Sequence, residues 1–228
     1  MRAAIISDIH GNAHALDQVI ADAMSFGPLD EIWCVGDIVG YGPDPAMCVS
    51  ELADAAYLGT RVIAIAGNHD RAATGGLSTA NFNPAAKRAA QWTADRLDGR
   101  AHTYLERLRE TETAGVDRGF TLVHGSPSDP LWAYTTHPED ALDCLLTVQT
   151  PHCIVGHTHA PSLFELEAGA SRSKFRPTFP VLLPFAMHDV IEMQPGRRYV
   201  VNPGSVGQPR DGDPRAAYVL YEIGRAHV

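Results

Sequence analysis

The stretch AAIISDIHGN, residues 3–12, decides how the rest of the chain is interpreted. Its first five residues, Ala3 to Ser7, form a short apolar run that is typical of a buried strand, and Asp8 follows at once. Asn12 can then cap a helix, which Gly27-Pro28 would end. A buried strand, a polar loop and a helix in this order predict a unit of an α/β fold.

The same unit recurs twice in the first half of the chain. Apolar runs predict strands at Glu31–Val35 and Arg61–Ala66, with a helix from about Pro45 to Tyr57 between them. Asn83 is a typical cap, and a helix is expected from Pro84 to about Leu97. Strands that alternate with helices predict a largely parallel first sheet.

After Gly115 the pattern changes to strands with one further helix, near Glu139–Val148. The predicted strands are Gly119–His124, His152–Val155, Ser162–Leu166, Arg197–Val201 and Ala216–Ile223. They predict a second sheet that packs on the first, with helices on the outside. We expect one domain over residues 1–228, with inserted stretches near residues 126–137 and 165–195.

Charge and composition exclude some classes of protein. The formal net charge is −9 and the chain has no block rich in Lys and Arg, which argues against general nucleic-acid binding. The apolar runs are too short for a signal peptide or for a membrane span of roughly 20 residues. We therefore expect a cytoplasmic protein. Its four cysteines form no C-x-x-C pair, and Cys34 and Cys153, which fall within apolar runs, are expected to be reduced and buried. The oligomeric state stays open.

Side chains that can bind metals follow nearly every predicted strand. They are Asp8, His10, Asp37, Asn68, His69, Asp70, His124, His157 and His159. Loops that leave the C-terminal ends of strands converge on one rim in α/β folds, so residues far apart in the chain can meet there.

These side chains offer oxygen and imidazole nitrogen but no thiolate. That set suits Mn²⁺, Fe or Zn²⁺, and it contains too much imidazole for a Ca²⁺ or Mg²⁺ cage. The ligand candidates, Asp8, His10, Asp37, Asn68, His124, His157 and His159, exceed what one tetrahedral zinc takes. Two ions that share a bridging carboxylate are the simplest arrangement.

Five sequence blocks occur in one order: DIHGN (8–12), GDIVGYGP (36–43), GNHD (67–70), HG (124–125) and GHTH (156–159). Together they resemble the calcineurin-like metallophosphoesterase superfamily. The segment Asn202-Pro203-Gly204-Ser205 also resembles one found in its small bacterial, phosphodiesterase-like members. The resemblance implies an α/β fold of two packed mixed β-sheets flanked by helices, an αββα sandwich.

The resemblance also implies a ligand assignment and a mechanism. Asp8, His10 and His159 would hold one ion; Asn68, His124 and His157 would hold the other; Asp37 would bridge the two. Two divalent ions, most simply Mn²⁺ with Fe or Zn²⁺ as alternatives, would activate a bridging hydroxide that attacks phosphorus. Their charge would attract a small phosphorylated substrate to an acidic protein.

The residues beside the ligands receive roles by the same resemblance. His69 looks like a non-ligand and is the candidate general acid. Asp70 could orient the His69 imidazole and favour its protonated form. Asn68 and Arg71 are candidate phosphate contacts, Arg71 by its position alone.

The substrate class is less well defined by the sequence. We expect a phosphodiesterase, with phosphomonoester or phosphoprotein hydrolysis and dinucleoside polyphosphate hydrolysis as alternatives. Tyr41 stands where the protein phosphatases of the superfamily carry Arg, and Asp70 where they carry Glu, which disfavours a dedicated protein phosphatase. A silent binding scaffold like retromer's subunit is a third class, but that subunit lacks the acid histidine. Trp132 and Tyr134 could wall the pocket, although packing is the slightly favoured role.

Overall fold

The computed structural model describes residues 1–57, 59–115, 117, 119–167, 181–182, 190–222 and 225–227. Its strands are β1 (Arg2–Ile6), β2 (Glu31–Cys34), β3 (Arg61–Ala64), β4 (Thr111–Ala114), β5 (Phe120–Val123), β6 (His152–Ile154), β7 (Ser162–Glu167), β8 (Val181–Leu182), β9 (Val190–Ile191), β10 (Arg197–Asn202), β11 (Val219–Glu222) and β12 (Arg225–His227). Its helices are α1 (Ala13–Ser25), α2 (Pro45–Tyr57), α3 (Asn68–Ala73), α4 (Pro84–Ala94), α5 (Gly99–Arg107) and α6 (Pro138–Thr147), with a short 3₁₀ turn at Thr79–Asn81.

Within the described residues the strands form two six-stranded mixed sheets, in the orders β3-β2-β1-β11-β12-β9 and β4-β5-β6-β10-β7-β8. Strands β1, β2 and β3 run parallel in the first sheet, and β5, β6 and β10 run parallel in the second. The C-terminal ends of each parallel set therefore lie along one edge of its sheet.

The side chains of β1 alternate between the two faces of the first sheet and so belong to two different layers of the core. Ala4 and Ile6 pack against helices on the outer side of the first sheet. Ala3 and Ile5 face inward, where the buried Trp33 ring lies 5.2 Å from the Phe120 ring of the second sheet. Helix α6 covers the outer face of the second sheet. These four layers confirm the predicted αββα sandwich.

Local capping chemistry explains which helices the sequence predicted. Asn12 accepts a hydrogen bond from the N–H of Ala15 at 3.1 Å, and Asn83 caps α4 just before Pro84, both as expected. Helix α4 ends at Ala94, before the predicted Leu97. The sequence analysis missed the helices α3 and α5 and the short strands β4, β8, β9 and β12. Helix α5 buries little apolar surface, and its only clear signal is the Asp98 cap.

The two stretches predicted to be insertions differ in how far the structure describes them. Residues 126–137 form an irregular loop between β5 and α6 that is closed by hydrogen bonds between Ser126 and Asp129. Of residues 165–195, positions 168–180 and 183–189 lie outside the described residues. The division into one domain with two insertions stays a prediction.

Two further expectations concern the cysteines and the membrane. Cys34 and Cys153 are buried and free, as predicted, and Cys48 and Cys144 are buried and free as well. In the part of the chain that is described, no helix combines the length and apolar character that crossing a bilayer requires. The cytoplasmic location stays a prediction.

Candidate dinuclear metal centre

The loops after five parallel strands bring the candidate ligands to one place. Asp8 and His10 follow β1, Asp37 follows β2, Asn68 begins α3 after β3, His124 follows β5, and His157 and His159 follow β6. None of these side chains is more than 6% exposed. Side chains separated by up to 151 positions in the chain therefore share one buried site.

Asp8, His10 and His159 form the first ligand group, with their ligand atoms within 4.8 Å of one another. The Nε2 atom of His159 lies 3.2 Å from Asp8 Oδ1 and 3.1 Å from His10 Nε2. The three side chains converge on one point, as ligands of a single ion do.

Asp37, His124 and His157 form the second group, under the same 4.8 Å limit. His124 Nε2 lies 3.4 Å from Asp37 Oδ2 and 3.1 Å from His157 Nδ1. The same Asp37 oxygen lies 3.6 Å from His10 Nε2 of the first group. Asp37 thus stands between the two groups, where a carboxylate can bridge two ions.

Backbone carbonyls fix the tautomers of three of these histidines. The Nδ1 atoms of His10, His124 and His159 donate to the carbonyl oxygens of Val39, Val35 and Gln208, at 3.1, 2.8 and 2.6 Å. The neutral imidazoles then direct their Nε2 lone pairs into the site, as metal ligands do. The two lone pairs of His10 and His159 face each other at 3.1 Å and would repel without a proton or a cation between them.

Unpartnered oxygens support a cation at the same place. Asp8 Oδ1 and Asn68 Oδ1 are buried without a hydrogen-bond partner. Leaving such atoms unpaired is costly, and a bound cation would satisfy both of them. Carboxylate, amide and imidazole ligands fit divalent ions such as Mn²⁺, Fe²⁺ and Zn²⁺.

Burial and mutual interaction shift the pKa values of Asp37 and His124 in opposite directions. Burial acts to raise the pKa of Asp37, but the imidazoles of His124 and His69 hold it well below its ordinary value. Burial opposes a charge on His124, yet Asp37 raises the His124 pKa to about 10. A metal ion that binds His124 would compete with this proton, because an imidazole must be neutral to bind a metal.

The backbone carries the ligands in an unusual conformation. Asp8, His10, Asp37, His157 and His159 have φ angles of 53°, 49°, 53°, 66° and 58°. This left-handed region costs a residue with a Cβ about 1–2 kcal/mol. Hydrogen bonds between loops hold it, such as those from Asp8 N to Gly36 O at 3.1 Å and from His10 N to Asp37 O at 2.9 Å. Strain of this kind is concentrated at functional sites.

His69 lies beside the ligands without joining either group. Its backbone N–H donates to Asp37 Oδ1 at 2.9 Å, and its ring centroid is 5.0 Å from that of His10. Its Nδ1 atom is buried and has no hydrogen-bond partner. Gly40, with φ 96°, makes room for this ring, because a Cβ there would lie 2.6 Å from His69 Nδ1. Burial lowers the pKa of His69, and Asp37 opposes that shift.

The side chains of Asp70 and Arg71 do not take the places expected for them. The carboxylate of Asp70 accepts hydrogen bonds from Val39 N at 3.0 Å and Gly67 N at 2.9 Å, and neither oxygen bonds the His69 ring. Burial raises the pKa of Asp70 to about 7. Asp70 thus ties the loop after β2 to the start of α3.

Arg71 projects from the other side of helix α3. Its guanidinium donates to the carbonyl oxygens of Glu106 and Leu108 at the end of α5. Residues two positions apart in a helix are separated by about 200° around its axis, so His69 and Arg71 point in nearly opposite directions. Arg71 makes no approach to the ligand groups in this arrangement.

The loop after β10 contributes residues whose roles the sequence analysis did not predict. Ser205 Oγ donates to the carbonyl oxygen of Asp8 at 2.7 Å, and Asn202 Nδ2 donates to Gly156 O at 2.9 Å. The motif Asn202–Ser205 was visible in the sequence, but only the structure shows that it joins two ligand loops.

Aromatic side chains surround the opening beside the ligands. Tyr134 stacks on His157 with ring centroids 4.3 Å apart, and it is 53% exposed. The ring centroid of Phe82 lies 4.8 Å from that of His69 and 5.2 Å from that of Trp132. The sequence slightly favoured packing for Trp132 and Tyr134, whereas the structure places the Tyr134 ring against the candidate ligand His157. Phe82 had no sequence signal.

The whole chain matches a family model. The model for the calcineurin-like phosphoesterase superfamily domain matches residues 1–225. A solved metallophosphoesterase from Sphaerobacter thermophilus is 40% identical and superposes with a TM-score of 0.77, over 100% of this chain and 87% of that one.

Two curated relatives add to this match. An uncharacterised protein of Methanocaldococcus jannaschii is 31% identical over 96% of this chain and 82% of its own. The symmetrical bis(5'-nucleosyl)-tetraphosphatase of Vibrio cholerae is 30% identical over 64% of this chain. That second match spans about half of the tetraphosphatase, 52% of its length.

Proposed function

We propose an activity from one premise: the chain belongs to the calcineurin-like phosphoesterase superfamily and is a phosphoric ester hydrolase. The proposed activity is hydrolysis of phosphodiesters at a centre of two divalent ions, with Mn²⁺ as the favoured metal. The observation that carries this proposal is the pair of ligand groups joined at Asp37 Oδ2, which lies 3.6 Å from His10 Nε2 and 3.4 Å from His124 Nε2.

Different residues would bind the metal ions and the substrate phosphate. Bound ions would supply a water acidified for attack and charge to balance the phosphate oxygens. Asp8, His10 and His159 would hold one ion, and Asn68, His124 and His157 the other, with Asp37 between them. The carbonyl partners of the histidine Nδ1 atoms keep the Nε2 atoms aimed inward, so little rearrangement accompanies binding. Asn68 would also contact the substrate phosphate.

His69 is the proposed general acid. When water adds to phosphorus, the bond from phosphorus to the leaving oxygen breaks and that oxygen needs a proton. His69 lies next to both ligand groups, and Nδ1 has no competing hydrogen bond. Asp70 would act indirectly, since it fixes the turn from which His69 projects.

Metal dependence and ester preference test the proposal together. The protein would be stripped of metal and assayed with bis-p-nitrophenyl phosphate and with p-nitrophenyl phosphate, with and without Mn²⁺. We expect cleavage that needs Mn²⁺ and favours the diester. A preference for the monoester would refute the diester assignment. If the protein binds Mn²⁺ but cleaves neither substrate, a binding scaffold would be favoured.

The role of His69 is tested by the leaving group. Replacing His69 by Asn should slow hydrolysis of a diester with an alkyl leaving group about 100-fold or more, because an alkoxide needs a proton to depart. A nitrophenyl diester leaves as a stable anion and should lose far less. Equal losses on both substrates would count against His69 as the acid.

The aromatic side chains favour a second candidate, hydrolysis of dinucleoside polyphosphates. Tyr134 on His157, and Phe82 between His69 and Trp132, offer flat faces beside the reaction centre. Stacking of a base on an aromatic ring is worth about 1–3 kcal/mol. A relative named bis(5'-nucleosyl)-tetraphosphatase supports the same substrate class.

This candidate predicts a preference that the diester assay does not measure. Diadenosine tetraphosphate should be cleaved with a lower KM than bis-p-nitrophenyl phosphate, and Trp132→Ala or Tyr134→Ala should raise that KM. As a matched control, Trp92→Ala removes a ring whose face packs against Arg96, 3.8 Å from its centroid, and should leave the KM unchanged. Equal KM values for all variants would remove this candidate.

A further inference from the structure

Arg210 lies in the loop after β10 and is attached to a ligand loop of the metal centre. Its backbone N–H donates to the carbonyl oxygen of His159 at 3.2 Å. Its Nη2 atom donates to Gln208 Oε1 at 2.7 Å, and the Gln208 carbonyl oxygen accepts from His159 Nδ1 at 2.6 Å. These contacts hold the Arg210 side chain beside the first ligand group.

The charge of Arg210 acts on groups that surround the centre. It is an electrostatic neighbour of Tyr41, His69 and His159. Tyr41 itself reaches the centre, with its ring centroid 4.6 Å from that of His69 and 5.0 Å from that of His10. Arg210, bonded to His159, and Tyr41, beside His10 and His69, thus both lie next to the centre.

The charge of Arg210 is not neutralised by a neighbour. Among the described residues, no carboxylate lies within 4.0 Å of its guanidinium. Arg215 in the same loop contrasts with it, because its Nε donates to both carboxylate oxygens of Asp213, at 2.9 and 3.0 Å. An unpaired guanidinium beside a site for anions is available for phosphate, to which it can donate two parallel hydrogen bonds.

We propose that Arg210 and the Tyr41 hydroxyl form a binding pair for a non-bridging oxygen of the substrate phosphoryl group. The pair joins the loop after β2 to the loop after β10, and it holds the phosphate from the side of the centre where His69 stands. Arg210 is a substrate-binding residue in this proposal, and Tyr41 supplies a second hydrogen bond to the same group. The inference rests on the proposed phosphoesterase function for the identity of its ligand.

Substitution of the exposed guanidinium provides the test. We expect Arg210→Gln to raise the KM for bis-p-nitrophenyl phosphate about 10- to 100-fold with a kcat within about threefold of the wild type, as loss of a charged hydrogen bond to bound substrate predicts. Arg210→Lys keeps the positive charge but loses the two parallel donors of the guanidinium. Its KM should lie between those of the wild type and Arg210→Gln. Tyr41→Phe should show a smaller rise in KM. Arg215→Gln is the matched control and should leave the KM unchanged.

A binding measurement separates this inference from the proposed function. Calorimetric titration of the Mn²⁺-loaded protein with inorganic phosphate should show about 10-fold or more weaker binding by Arg210→Gln, whether or not the protein cleaves any ester tested. An unchanged phosphate affinity in Arg210→Gln would overturn the proposal. A loss of bound Mn²⁺ in that variant would also overturn it, because Arg210 would then support a ligand loop and not the phosphate.

Discussion

Replacing Asn202 by alanine is expected to weaken both the fold and the metal centre. Asn202 is 1% exposed, and three hydrogen bonds fix its side chain. Nδ2 donates to Gly156 O and to Thr158 Oγ1, and Oδ1 accepts from Gly204 N, each at 2.9 Å. The carbonyl and N–H partners also fix the orientation of the amide, since only Nδ2 can donate and only Oδ1 can accept.

The size of the effect follows from the groups that lose their partners. Alanine would leave the buried Gly204 N–H without its partner, whereas the Gly156 carbonyl would keep its bond from Thr158 N at 2.7 Å. A buried group left unpaired costs about 1–3 kcal/mol and each of the two other lost hydrogen bonds about 0.5–1.5 kcal/mol, so the free energy of unfolding should fall by about 2–6 kcal/mol. Gly156 begins the loop that carries His157 and His159, and loss of such support lowers metal affinity by about 10- to 100-fold.

Two measurements check this expectation. Urea unfolding of the metal-free protein gives the change in stability, and calorimetric titration with Mn²⁺ gives the change in affinity. Asn83→Ala is the matched control, because it removes an exposed helix cap and should cost about 1 kcal/mol without changing Mn²⁺ affinity. The reasoning is refuted if Asn202→Ala unfolds like the wild type, or if it loses stability while binding Mn²⁺ as tightly.

Three further predictions concern the metals, the backbone and pH. Mn²⁺ should raise the melting temperature of the stripped protein, as thermal scans can show, and Asp37→Asn should abolish most of that rise because Asp37 faces both ligand groups. Gly67→Ala should weaken Mn²⁺ binding in calorimetry, since a Cβ there would lie 2.1 Å from Asp37 Oδ1, whereas Gly99→Ala, with open space around it, should not. Burial, with Arg198 adding to it, lowers the pKa of His152 to about 4. Between about pH 6.5, the ordinary pKa of histidine, and pH 4, the His152 imidazole is protonated in the unfolded chain but not in the folded chain. The free energy of unfolding is therefore highest above pH 6.5 and decreases as the pH falls towards 4. In urea unfolding at pH 7.5 and 5, His152→Asn should lose about 1–2 kcal/mol less than the wild type, and equal losses would contradict this assignment.

The sequence alone predicted the strands that precede the candidate site, and it identified the ligand candidates. Buried strands such as Ala3–Ile6 are visible because every side chain is apolar, and the residue that follows each strand is visible because it is polar. Caps at Asn12 and Asn83 were visible for the same local reason. Local chemistry of this kind does not depend on distant parts of the chain.

Only the tertiary structure decided how distant residues act on one another. The roles of Asp70 and Arg71 depend on which way short helix α3 presents each side chain, and the role of Arg210 depends on contact with the loop that carries His159. The left-handed conformation of Asp8 and four other candidate ligands is unfavourable locally, so no local pattern predicts it. Hydrogen bonds between the loops after β1 and β2 stabilise it, and those bonds exist only after the two strands have paired.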